Sequence, residues 1–194
     1  MTSQAMPSPH ARPDIARVPS GRFAMWWVIA SEIVIFGGLI ASYVLYRIRY
    51  PGWAEFAHHT STPLGALNTL VLLTSSYTVV LAHQASGRGD LAAVRKYLYI
   101  TIGFGAMFLV VKSFEYTHEI RAGFTPTANL FWSFYYTMTG LHASHVIAGM
   151  IAMAVVSRQA GRGRHLHRVE MAGLYWHFVD VVWIFLFPLL YLAK

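Results

Sequence analysis

The chain has 194 residues, of which 56% are hydrophobic and only 12% are charged. A soluble domain carries roughly 25% charged residues on its wetted surface, so this composition excludes a soluble globular protein and indicates a membrane protein. The formal net charge of +7 lies in short segments between apolar runs and not on one basic face, which excludes nucleic-acid binding, and the absence of cysteine excludes disulfides, thiolate metal sites and thiol nucleophiles.

The first 21 residues are polar and contain four prolines, Pro7, Pro9, Pro13 and Pro19. They lack the apolar centre of a signal peptide, and their composition is typical of disordered segments. We therefore expect residues 1–21 to form a disordered or extended cytoplasmic tail. Residues 22–194 are expected to form a single transmembrane domain.

Five apolar runs follow in the sequence, and each matches the length of a membrane span. A helix of about 20 residues crosses the roughly 30 Å hydrocarbon core at about 1.5 Å per residue. Helix is the default because it satisfies every backbone hydrogen bond internally. The predicted fold is all-α, a polytopic membrane helical bundle with five transmembrane helices at about 24–46, 64–84, 93–117, 129–157 and 169–193.

The distribution of Lys and Arg predicts the orientation of the bundle. Most of these residues lie in the N-terminal tail and in the loops after the second and fourth spans. Because cytoplasmic loops of membrane proteins carry an excess of positive residues, the N-terminus is predicted to be cytoplasmic. The C-terminus is then on the outer face, as an odd number of spans requires.

Ionisable residues within the spans carry the functional information, because such residues are rare and costly in a membrane. They are Glu32 in the first span, His142 and His145 in the fourth, and His177 and Asp180 in the fifth. Helix rise and the predicted topology put them at a similar depth. We expect them to share one hydrogen-bonded cluster inside the bundle.

Three interpretations of this cluster remain open at the level of sequence. The first is a structural polar network that fixes helix register. The second is a group that holds and exchanges protons, and the third is a metal site of histidine and carboxylate ligands. For the metal site, His142 and His145 have the i, i+3 spacing that would let them share one ion, although this spacing alone is weak.

Other polar positions are weaker candidates. The fifth span has a stripe at helical spacing that should face the interior; its members are Glu170, Gly173, His177, Asp180 and Ile184. Glu115 and Glu170 are secondary polar positions. The charged end of the third span is predicted to be a solvated helix face; it contains Lys112, Glu115, His118 and Glu119.

The motifs of the chain resemble those of the haem–copper oxidase subunit III family. The most specific is the segment 169–183, which reads VEMAGLYWHFVDVVW. Shorter matches precede it in order: Ser31-Glu32, Phe36-Gly37-Gly38, Leu67-Asn68-Thr69, Thr74-Ser75-Ser76, Glu115-Tyr116, Phe124-Thr125-Pro126, Gly140-Leu141-His142, His145-Val146 and Gly149. The resemblance covers about residues 22–192.

This resemblance implies an accessory subunit of a respiratory terminal oxidase, with cytochrome c oxidase favoured, in a bacterial inner membrane. It implies no catalytic, metal-ligating or cofactor-binding residue in this chain, since haem and copper belong to partner subunits. Subunit I is the expected main contact and subunit II a second, with phospholipid as a further bound molecule. The expected role is to support assembly, lipid binding and sustained proton uptake during oxygen reduction.

For individual residues, the resemblance identifies Glu32 with the family's carbodiimide-reactive carboxylate and His142, His145 and His177 with its membrane histidines. Longer members of the family have seven helices, whose first two form one wall of a lipid-filled cleft. This chain resembles the five-helix members, which also accompany quinol oxidases and nitric oxide reductases. Two rivals from other classes are a small proton-coupled transporter and a di-metal membrane enzyme.

Overall fold

The structure, a computed structural model, describes residues 20–50, 52–160 and 167–192. Within these residues it contains six α-helices, a C-terminal π-helical segment and no strand. The elements are α1 (Ser20–Arg49), α2 (Trp53–Ala57), α3 (Thr62–Gly87), α4 (Leu91–Arg121), α5 (Leu130–Ala160), α6 (His167–Phe187) and the π-helical segment Pro188–Leu192. Five of the helices are long and apolar enough to cross a membrane, which confirms the predicted number of spans.

The predicted tail, 1–21, lies outside the described residues except for its last two. Ser20 and Gly21 belong to the first turn of α1, so the helix begins slightly before the expected boundary. The loop between α5 and α6 also lies outside the described residues. The same is true of residue 193, where the fifth predicted span ends.

Local sequence signals explain where the long helices begin. The carboxylate of Asp90 accepts a hydrogen bond from the backbone N–H of Ala93 and so caps α4. The side chain of Asn129 accepts one from the N–H of Trp132 at the start of α5. Both caps satisfy backbone donors that a helix leaves free in its first turn.

The helices alternate in direction along the bundle. The starts of α1 and α6 meet through Arg22 and Glu170, so these two helices run parallel. Thr62 at the start of α3 donates to the carbonyl of Tyr191 in the π-helical segment that follows α6, so α3 runs antiparallel to α6. The interfaces of α3 with α4 and α6, and of α5 with α4 and α6, form the core, whereas α1 packs at the periphery against α6 and α5.

Glycines allow the helices of the core to approach closely around Trp176. A Cβ atom at Gly149 would lie 2.8 Å from Trp176, and one at Gly105 would lie 2.9 Å from it. The indole N–H of Trp176 donates to Ser75 of α3 over 2.9 Å. This use of small residues is typical of helix packing in membranes, where close contact and interhelical hydrogen bonds drive association.

The C-terminal segment is held by hydrogen bonds from other parts of the chain. Pro188 has no N–H to continue the α-helical pattern, and the residues after it form a π-helical turn. Tyr43 of α1 donates to the carbonyl of Leu189, and Thr60 donates to that of Leu190. These bonds supply donors to buried backbone carbonyls, which have no water to bond with in the interior of a membrane.

Candidate functional site

Glu32 and His145 form an ion pair between α1 and α5. Glu32 Oε2 lies 3.0 Å from His145 Nε2, and the two side chains are only 18% and 14% exposed. The edge of Phe36 packs against the imidazole with the ring centroids 5.2 Å apart. The structure therefore brings together one carboxylate and one histidine of the predicted cluster.

The contact of the other ring nitrogen of His145 indicates which of its two nitrogens carries a hydrogen. Nδ1 lies 2.8 Å from the backbone carbonyl of Leu141. A carbonyl can only accept a hydrogen bond, so Nδ1 carries a hydrogen. Nε2 and the Glu32 carboxylate would then face each other with lone pairs unless a proton lies between them. A proton between Nε2 and Glu32 Oε2 would relieve this contact, which at 3.0 Å does not have hydrogen-bond geometry.

His142 lies one turn away on α5 but faces the centre of the bundle. It is completely buried, with Phe108 of α4 and Trp183 of α6 against its ring at centroid distances of 5.4 and 5.2 Å. Neither of its ring nitrogens has a hydrogen-bond partner among the described residues. His142 and His145 therefore point to different neighbours, which does not favour the interpretation of one ion shared between them.

His177 and Asp180 face α3. Nδ1 of His177 lies 2.7 Å from the hydroxyl of Ser76. Asp180 is 4% exposed, and neither of its carboxylate oxygens has a hydrogen-bond partner within the part of the chain that the structure describes. These two residues form a second polar site, on a different side of α6 from the Glu32–His145 pair.

The prediction of one shared hydrogen-bonded network is therefore wrong, because the five residues fall into three places. The depth of each residue follows from its position along a helix, but its direction depends on which helix lies beside it. His145 meets α1, whereas α6 turns His177 and Asp180 towards α3.

The predicted stripe on α6 needs the same correction, since Ile184 is 46% exposed and Trp183 takes the interior position.

Glu170, at the start of that stripe, pairs with Arg22 of α1. This ion pair is partly exposed, with the two side chains 51% and 29% accessible. An exposed ion pair contributes little to stability. It joins the starts of α1 and α6.

The prediction of a solvated charged end on α4 is also wrong for three of its four residues. Lys112, Glu115 and Glu119 are at most 3% exposed, and only His118 faces outward. The physical reason is that α4 continues inside the bundle beyond the apolar run. The signal was present in the sequence as a regular helical spacing of the buried residues, namely Thr101, Gly105, Phe108, Lys112, Glu115 and Glu119.

Lys112 has a complete set of partners despite its burial. Its ammonium group donates to Glu115 Oε2 over 3.0 Å, to the hydroxyl of Tyr135 over 3.0 Å and to that of Tyr191 over 2.8 Å. The faces of Tyr116 and Tyr135 lie 4.8 Å from Nζ. A paired, fully hydrogen-bonded charge surrounded by aromatic rings is the arrangement in which burial of an ammonium is tolerated.

Two apolar grooves flank the Glu32–His145 pair. One, of about 260 Å³, lies between α1 and α6 and includes Ile33 and Phe36 in its wall. The other, of about 460 Å³, lies between α1 and the α5–α6 pair, with Tyr175 in its wall and Arg168 at one end. Their shape and apolar lining suit hydrocarbon chains better than polar substrates.

The described residues contain no group of three or more His, Cys, Asp or Glu side chains that could hold a metal ion. Their polar sites can hold protons and fix helix positions. No phosphate-binding loop is found in the described part of the chain.

Comparisons with known proteins agree with the sequence motifs. The family described as cytochrome c oxidase subunit III matches residues 16–193. Cytochrome c oxidase subunit 3 of Corynebacterium diphtheriae is 37% identical over 86% of this chain and 84% of its own length. The protein of the same name from Thermostichus vulcanus is 34% identical over 98% of this chain and 94% of its own length.

A third relative combines two subunits in one chain. The heme-copper oxidase subunit I+III of Aeropyrum pernix is 34% identical over 89% of this chain, and the match covers 22% of that longer protein. The buried ionisable residues, the five spans and these matches all agree with one assignment. The chain belongs to the cytochrome c oxidase subunit III family.

Proposed function

We propose that this chain is a non-catalytic subunit of a haem–copper terminal oxidase in a bacterial inner membrane. Haem and copper belong to its partner subunits, which reduce oxygen to water. The observation that carries the proposal is membership of the family over nearly the whole chain. The names of the relatives support cytochrome c oxidase over a quinol oxidase or a nitric oxide reductase, and they do not favour a transporter.

Subunit I is the proposed main partner and subunit II a second one. The supporting observation is the relative from Aeropyrum pernix, whose name places subunits I and III in a single polypeptide. Subunits that are joined in one relative are expected to contact each other when they are separate chains.

Isolation of the complex tests this proposal. The chain is tagged in its native cells, membranes are dissolved in mild detergent, and the eluate is analysed by mass spectrometry and by its absorption spectrum. We expect haem-containing subunit I and subunit II to co-purify with the tagged chain. A tagged, unrelated multi-pass protein from the same membranes is the control. Recovery of the chain alone, free of haem-containing partners, would contradict the proposal.

Within that complex, the Glu32–His145 pair is proposed to fix α1 to the core and to hold an exchangeable proton. The pair is the polar link between α1 and α5 in the membrane interior, and it lies between two apolar grooves. We propose that these grooves hold phospholipid chains, with Arg168 available to an anionic headgroup at the end of one of them. The proposed role is to keep the oxidase assembled and supplied with protons over many turnovers.

Replacing Glu32 by Gln tests the role of the pair. Gln keeps the size of the side chain but removes the charge-assisted interaction, which is worth about 1.5–3 kcal/mol. We expect the oxidase to start at the rate of the unchanged enzyme but to lose activity after fewer turnovers and to retain less phospholipid. Glu55→Gln, at an exposed position on α2, is the matched control. Unchanged assembly, lipid content and lifetime in Glu32→Gln would remove the proposed role.

A further inference from the structure

A third cavity, of about 220 Å³, lies between α3 and α6 and differs from the two apolar grooves in its chemistry. Its wall carries three ionisable side chains, which are His83 of α3 and Glu170 and His177 of α6. His83 and Glu170 belong to the end of the bundle where α3 stops and α6 starts. Ionisable walls of this kind favour water over hydrocarbon.

Asp180 lies on α6 three residues beyond His177, which is the cavity-lining residue farthest along that helix. His177 lines the cavity, and its Nδ1 lies 2.7 Å from the hydroxyl of Ser76. Asp180 follows three residues later on α6 and lies near Ser76 of α3, although no contact between them has hydrogen-bond geometry. About ten residues separate Asp180 from Glu170, which corresponds to roughly 15 Å along the helix.

Asp180 has unmet hydrogen-bonding capacity. Its side chain is 4% exposed and both of its oxygens lack a partner among the described residues. A buried polar group without a hydrogen bond is costly, and buried water is the usual partner where the protein supplies none. Asp180 does not line the cavity itself, but it follows the lining residue His177 on α6, so this cavity is the nearest source of that water.

The other titratable groups on the neighbouring helices have different surroundings. Glu32 of α1 pairs with His145 of α5, and Lys112 of α4 pairs with Glu115. His142 of α5 packs between aromatic rings. His83 of α3 and Glu170 of α6 line the same cavity as His177, and Glu170 pairs with Arg22 of α1. In the described residues, therefore, no cation pairs with Asp180, and the Ser76 hydroxyl and water are the hydrogen-bond donors that remain for it.

We propose that the cavity between α3 and α6 is a water-filled inlet through which Asp180 exchanges protons with the aqueous phase. The ligand is water, and the exchanged species is a proton. Ser76 can accept a hydrogen bond from Nδ1–H of His177 and donate its own hydrogen towards Asp180. A hydronium ion in the inlet then gives a proton to Nε2 of His177 and becomes water, the Nδ1 hydrogen passes to Ser76, and the Ser76 hydrogen passes to Asp180. This converts the carboxylate to the carboxylic acid, and the reverse sequence returns the proton to water.

This inlet goes beyond the proposed function, because the Glu32–His145 pair lies on a different side of α6. The proposal for Asp180 and the proposal for the Glu32–His145 pair can therefore be tested independently. A loss of proton exchange at Asp180 would leave the role of Glu32 untouched, and the reverse also holds.

Infrared difference spectroscopy of the whole oxidase, before and after a change of pH in H2O and in D2O, tests the inlet. The protonated carboxyl group of Asp180 should give a C=O stretching band that shifts in D2O. We expect Asp180→Asn to remove this band and Glu32→Gln to leave it in place. A spectrum in which Asp180→Asn removes no deuterium-sensitive carboxyl band overturns the proposal.

A second pair of variants tests the route. Val80 lines the inlet, and Val80→Phe should narrow it without removing any ionisable group. We expect the Asp180 band to persist but its deuterium exchange to slow by about tenfold or more, which corresponds to a barrier higher by about 1.4 kcal/mol. Val110→Phe adds the same bulk at an exposed position on α4 and should leave the exchange rate unchanged. Equal exchange rates in the two variants overturn the inlet.

If Asp180→Asn does not assemble, Ser76→Ala gives the decisive measurement. It keeps the carboxyl group and the cavity but removes the hydroxyl between His177 and Asp180. We expect exchange of the Asp180 band to slow by a similar factor. An exchange rate equal to that of the unchanged oxidase overturns the proposed relay.

Discussion

At the residue scale, the buried ammonium group of Lys112 is stabilised by its hydrogen-bond partners. All three hydrogens of its ammonium group are donated, to one carboxylate and two tyrosine hydroxyls. One of these hydroxyls belongs to Tyr191 in the C-terminal π-helical segment. Lys112 therefore joins α4, α5 and the end of the chain at one point inside the bundle.

Replacing Lys112 by Met should strongly destabilise the protein. Met fills a similar volume, but it leaves Glu115 buried without its cation, and breaking a buried pair in this way costs about 3–5 kcal/mol. We expect a lower midpoint in thermal unfolding of the detergent-solubilised oxidase, followed by near-ultraviolet circular dichroism. Arg121→Met, at an exposed position on the same helix, is the matched control and should unfold like the unchanged protein.

The double variant Lys112→Met with Glu115→Gln separates the pair from its surroundings. Removing both charges eliminates the uncompensated carboxylate, so most of the lost stability should return. A single Lys112→Met variant with the unfolding midpoint of the unchanged protein would contradict the importance of this contact.

At the element scale, the sequence was sufficient to predict the number of spans because each is a long apolar run. The approximate depth of Glu32 or His177 followed from the same count of residues. The sequence did not reveal which helix lies beside each face. His145 and Asp180 were therefore expected together, whereas the structure directs one to α1 and the other to α3.

The charged end of α4 shows why burial was harder to predict than helix position. A sequence with Lys112, Glu115 and Glu119 within eight residues is also typical of a solvated helix. The partners that make burial possible, Tyr135 and Tyr191, come from α5 and from the C-terminal segment. Contacts between residues so distant in sequence leave no local pattern, and only the helical spacing of the buried residues pointed to them.

The sequence was also not sufficient to predict which glycines allow two helices to pack closely. Gly149 was recognised as part of a family motif, but its purpose follows from Trp176, which occupies the space that a side chain at Gly149 would need. Trp176 also hydrogen-bonds to α3 through Ser75. One indole ring thus sets the spacing of α5 and α6 and links both to α3.

At the scale of the whole molecule, the structure strengthens the asymmetry of charge on which the predicted topology rests. Its position after the apolar run of the third span would add Lys112 to the positive residues of the outer side, but Lys112 lies inside the bundle and cannot act as a loop charge. The end where α1 and α6 begin therefore keeps its excess of Lys and Arg, while the opposite end has fewer than the sequence indicated. Positive loops remain on the cytoplasmic side during insertion, so we propose that the N-terminus is cytoplasmic.

The absence of cysteine makes this orientation directly measurable, since any single introduced thiol is the only one in the chain. Gln84 is exposed near the end of α3, and Ala128 is exposed at the opposite end, just before α5. We expect a membrane-impermeant thiol reagent applied to intact spheroplasts to label Ala128→Cys but not Gln84→Cys. Both should be labelled once the membrane is permeabilised, which controls for accessibility. Labelling of Gln84→Cys alone in intact spheroplasts would invert the topology, and the inlet between α3 and α6 would then open to the outer phase, because His83 and Glu170 lie at the same end of the bundle as Gln84.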